Sequence, residues 1–69
     1  MGASKAIKQL MQERDITVKA LAEKLGINSQ SMSNKLYRDT FSYEEVISIA
    51  DILNCDVKLI MRDTGKEFY

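Results

Sequence analysis

Between residues 17 and 37 the chain carries two helix signals separated by a stop, and no other feature restricts its fold so closely. Val18, Leu21, Ala22 and Leu25 recur at i, i+3, i+4 and i+7, the spacing of one apolar helix face, and Thr17 before them can accept a hydrogen bond from an early backbone N–H. Gly26 follows the last apolar position, where a glycine takes the left-handed conformation without a Cβ penalty and ends the helix at about Leu25. Asn28 or Ser29 can cap a further helix that restarts almost at once and runs to about Leu36 or Tyr37. That helix is mostly polar: only Met32 and Leu36, at i and i+4, look inward.

The flanking segments supply what two short helices need to bury their faces. Ser4 is expected to cap a first helix, with Ala3, Ile7, Leu10 and Met11 at helical spacing, running to about Arg14 or Asp15. Ser42-Tyr43-Glu44-Glu45 matches a capping box, and a fourth helix from about Tyr43 to Leu53 starts there. Its apolar residues wrap most of the circumference, so it is either the central core helix or partly a partner surface. Val57 to Arg62 reads as a strand, and Asp63-Thr64-Gly65-Lys66 as a turn leading back into Glu67-Phe68-Tyr69. Met11, Met32 and Met61 are expected in the core. The fold class is all-α: four short helices with a small C-terminal β-hairpin or strand over 57–69. No proline, repeat or low-complexity run marks a linker, so residues 1–69 are read as a single domain.

Composition removes several classes of function. A chain of 69 residues builds one small core and hardly a deep catalytic cleft. It has no histidine, the commonest general base and metal ligand, and Cys55 has no partner at ligand spacing. No nucleophile–base pair, metal set or phosphate-binding glycine loop is present, so neither catalytic residues nor a cofactor are expected. A lone cysteine suits a reducing cytoplasm, and no stretch approaches the roughly 18 apolar residues of a membrane span. Glu44 and Glu45 are explained by capping and the helix dipole. Cys55 reads as a small packed residue.

Charge is uneven along the chain although its net value is zero. Residues 17–38 carry Lys19, Lys24, Lys35 and Arg38 against Glu23, a net +3, whereas 39–69 carry three cations against seven anions, a net −4. A polyanion meets one face of a molecule and not its total charge, so a basic middle suits phosphate.

A helix that enters the DNA major groove shows polar side chains outward while a few apolar residues hold it to the domain. Leu21-Ala22-(x3)-Gly26-Ile27-(x4)-Met32 has that form: Ala22 permits close helix approach, Gly26 turns the chain, Ile27 fills the space beneath, and Met32 pins the polar helix. On these residues, and on Ile49-Ala50-Asp51-Ile52-Leu53-Asn54, residues 4 to 54 resemble the phage repressor and Cro-like helix-turn-helix family, also called XRE-like. The resemblance implies a four- or five-helix DNA-binding regulator, often a repressor, whose third helix reads bases. By position it assigns base reading to Ser29, Gln30 and Asn34, with Ser33 and Asn28 secondary. Gln30 and Asn34 carry amides able to pair with adenine N6 and N7. Val18 stands where the family often has a phosphate-binding glutamine, so phosphate contacts fall to Thr17, Lys19, Ser31, Lys35, Tyr37 and Arg38. The expected partners are double-stranded DNA and a second copy, met through the fourth helix and the C-terminal strand. The alternative is a protein-interaction or antitoxin-like module on the same fold, which the zero net charge favours.

Overall fold

The computed structural model describes residues 2–69; Met1 lies outside them. Among these residues the order is α1 (Ser4–Glu13), α2 (Val18–Leu25), α3 (Ser29–Arg38), α4 (Tyr43–Ile52), β1 (Leu59–Ile60) and β2 (Glu67–Phe68). The two strands pair antiparallel, Leu59 opposite Phe68 and Ile60 opposite Glu67.

Three of the four helix starts follow from local chemistry. Thr17 Oγ1 accepts the Ala20 N–H at 3.1 Å, and Asn28 Oδ1 accepts the Ser31 N–H at 2.7 Å. Of the two caps possible for α3, Asn28 is the one used. At α4 the Ser42 hydroxyl and the Glu45 carboxylate each satisfy the other residue's backbone N–H, a complete capping box. Gly26, at φ +76°, ends α2 in the left-handed region.

The first helix departs from expectation. Ala3, not Ser4, is its N-cap, and Ala3 has no side-chain bond to offer. Ser4 is instead buried inside the first turn, where its hydroxyl donates to the Leu36 carbonyl at 2.9 Å. The cap comes from α3: Asp39, left-handed at φ +58°, ends that helix and its carboxylate accepts the Ser4 N–H at 2.9 Å. A Cβ at Gly2 would meet that carboxylate, so a larger residue there would require the Asp39 side chain to shift. At its other end α1 stops at Glu13, and the Arg14 guanidinium donates to the Leu53 carbonyl at 2.9 Å and the Asn54 carbonyl at 3.3 Å, closing the end of α4. Thus α1 is tied at both ends to helices far along the chain.

Ile7, Met11, Leu21, Ala22, Met32, Leu36, Ile49 and Leu53 form the core, with Leu21, Met32 and Ile49 fully enclosed. Val18 and Ile27 pack half-buried against it. α4 is a core helix on one side: Ile49 and Ala50 face the core, while Tyr43 and Ile47 stay exposed. The C-terminal strand is shorter than Val57–Arg62. Val57 lies half-buried beside Ala6, Leu10 and Val46 of α1 and α4, and only Leu59 and Ile60 are free to pair. Met61 is not a core residue; it is 44% exposed, in a hairpin whose residues from Lys58 onward are all exposed. Its backbone is used in the turn, where its N–H donates to Lys66 and its carbonyl accepts from Gly65. No helix among the described residues is long and apolar enough to cross a membrane.

Candidate nucleic-acid interface

The polar face of α3 is built by its two apolar residues. Met32 and Leu36 are buried at 0% and 7% exposure, which turns Gln30, Ser33, Asn34, Tyr37 and Arg38 away from the core. All five are exposed, Tyr37 at 89%. Gln30 and Asn34 lie one turn apart, and the Gln30 Nε2 donates to Asn34 Oδ1 at 3.3 Å. Joined in this way, the two amides leave Gln30 Oε1 as an acceptor and Asn34 Nδ2 as a donor.

The remaining sequence-selected residues divide by what already engages them. Ser29 is exposed in the first turn, whereas Ser31 is half-buried. Asn28 is exposed, but its carboxamide oxygen is committed to the helix cap. Thr17 uses a lone pair for its own cap and keeps its O–H proton. Lys19, in the first turn of α2, is exposed, and Arg38 sits in the last turn of α3, where a cation is favoured by the helix dipole. Val18, half-buried against the core, has no polar group for a phosphate.

Lys35 is held otherwise than its sequence position suggests. Its Nζ lies 2.7 Å from Glu45 Oε2, joining the side of α3 to the start of α4. Lys35, and after it the Ser42 backbone N–H, hold the Glu45 carboxyl below its usual range. The Ser4 N–H does the same for Asp39. Sequence reasoning assigned Glu45 to the capping box and the helix dipole, with no partner on α3. No local pattern could have added Lys35, because the two residues meet only once α3 and α4 are packed.

Two short helices meeting at a left-handed glycine, the second presenting a polar face pinned by buried Met32, make a helix-turn-helix. The family model of the Cro/C1-type HTH DNA-binding domain matches residues 6–64, and the chain belongs to that family. The match takes in α2, α3 and α4 entire and reaches through β1, so the start of the hairpin falls within the family's own extent. Comparison with curated proteins and with solved structures gives no match. The chain is therefore a DNA-binding regulator domain, of a family that points to regulation and not to enzymatic chemistry.

Proposed function

We propose that residues 1–69 act as one sequence-specific repressor domain that lays α3 in the major groove. The observation that carries this is the placement of Gln30 and Asn34 side by side on the exposed face, opposite buried Met32 and Leu36. The two amides are the base readers, either separately as bidentate partners of adenine or jointly through the free oxygen of one and the free amino group of the other. Ser29 and Ser33 flank them, and Asn28 keeps only its amino group for a base. Lys19, Arg38, Tyr37, Thr17 and Ser31 contact phosphate, with Lys35 joining them on a bound site.

A single short helix reads too few base pairs to find one site among many competitors, so the working unit is a symmetric dimer. Tyr43, Ile47, Leu59, Ile60 and Phe68 are exposed apolar residues on α4 and the hairpin, and a two-stranded sheet leaves one edge of each strand unpaired. These features support a second copy as partner. The half-sites then lie about one turn apart, roughly 10 base pairs. Repression follows from occupancy, because a dimer seated over its site excludes other proteins from the same groove. With DNA as target and an unpaired thiol at Cys55, we place the chain in the cytoplasm.

Selection of bound duplexes from a random pool tests the proposal. A two-fold symmetric motif with half-sites about 10 base pairs apart is expected, with two chains per minimal site by sedimentation. An unenriched pool, or one chain per site, refutes it and favours the exposed apolar residues as a surface for another protein.

A further inference from the structure

At the rim of the polar face one carboxylate serves two masters. Glu45 Oε1 accepts the Ser42 N–H at 2.9 Å, and Glu45 Oε2 meets Lys35 Nζ at 2.7 Å. Because the cap already fixes the carboxylate, the pair escapes part of the ordering cost that weakens most surface ion pairs. Both side chains remain open to solvent, at 33% and 38%, so the pair can still exchange partners.

We propose that Glu45 is a positioning residue that competes with DNA phosphate for Lys35 and so tempers the affinity of this face for duplex. The inference rests on α3 being the groove-facing helix. Setting one free lysine on a phosphate releases about 0.9 counterion, which amounts to about eightfold in affinity at 0.1 M salt. An exposed ion pair of good geometry is worth up to about fivefold. Exchanging one for the other on random DNA therefore gains little, and the neutral pair adds nothing to the field that draws duplex in. Glu45 thus lowers affinity for duplex of any sequence that engages Lys35, by up to the worth of the pair.

Glu45→Gln separates the charge from the cap, because glutamine serves at this position of a capping box. Affinity for a random-sequence duplex at 0.1 M salt is expected to rise by up to about fivefold, the worth of the pair, and the log–log salt slope to steepen by less than about 0.9. Affinity for the selected site should rise by at least as much, because the pair is broken there too. Glu44→Gln is the control: it removes the same charge from the same helix turn, and Glu44 has no ion pair among the described residues. It should move both quantities far less. Combining Lys35→Gln with Glu45→Gln should return random-duplex binding to near the unmodified level. Lys35→Gln alone, which leaves the capping box untouched, should flatten the slope on random duplex by clearly less than the value of about 0.9 for a free lysine, and keeps the test open if Glu45→Gln unfolds. An unchanged slope in folded Glu45→Gln, equal effects of the two glutamines, or a slope flattened by the full value of about 0.9 in Lys35→Gln overturns this inference while leaving DNA binding intact. An unmodified chain that fails to bind duplex at low salt overturns the underlying reading as well.

Discussion

Met32 and Met61 allow one chemical change to be made at two degrees of burial. Met32 is 0% exposed beneath α3, and Met61 is 44% exposed in the hairpin. Truncating a fully buried methionine to alanine costs about 2–5 kcal/mol, from lost transfer energy and the cavity left behind. A chain of 69 residues has roughly 3–10 kcal/mol in all at about 0.05–0.15 kcal/mol per residue. Met32→Ala therefore removes about half of the total stability, whereas Met61→Ala at an exposed position stays within about 0.5 kcal/mol. In urea, with a slope of about 1 kcal/mol per molar for so small a chain, the midpoint should drop by about 2 M or more for Met32→Ala and by less than about 0.5 M for Met61→Ala. Duplex at a hundred times its Kd should restore about 2.7 kcal/mol to the buried variant, since DNA binds only the folded state. Far-UV circular dichroism during titration reads all of this. Equal midpoint shifts for the two variants would refute the placement of Met32 as the pin of α3.

Three other outcomes follow from the same geometry. Ser42→Ala removes the hydroxyl that caps α4 and should cost about 0.5–2 kcal/mol in denaturant titration, with the selected DNA motif unchanged in folded molecules. Arg14→Ala leaves the Leu53 and Asn54 carbonyls without their guanidinium donor and should cost about 1 kcal/mol or more, with hydrogen-exchange protection lost first at the end of α4. The Asp39 and Glu45 carboxyls are both held below their ordinary values of 3.8 and 4.5, so each contributes stability that is present above those values and lost as pH falls through the lower folded-state values. Thermal melting between pH 7 and 3 should show Tm falling in the acid range, and Asp39→Asn with Glu45→Gln should flatten that fall.

What was legible in the chain is what neighbouring residues decide between themselves. Thr17, Gly26 and the Ser42/Glu45 box act within three or four residues, and each ends or starts a helix where the sequence places it. The same holds for the alternation of buried Met32 and Leu36 with exposed Gln30 and Asn34. What was not legible depends on elements far apart. Ser4 has the chemistry of an N-cap, yet packing against the end of α3 draws it into the helix and hands the cap to Asp39. Arg14 looks like a solvated charge until α4 ends beside it. Met61 reads as core because its run is apolar, but the two-residue ladder leaves it in a hairpin without a covering layer. At the candidate interface the polar face of α3 followed from periodicity alone, and the ion pair of Lys35 with Glu45 required the tertiary fold.

The central claim is that Gln30 and Asn34 on α3 specify the DNA sequence. It is tested most directly by repeating the selection from a random duplex pool with Gln30→Ala and Asn34→Ala. Each loss is expected to cost about 1–3 kcal/mol at one base position of the half-site while leaving affinity for random DNA nearly unchanged, because nonspecific binding is mainly to phosphate. If both variants return the unmodified motif at unmodified affinity, α3 is not the reader and the account is contradicted.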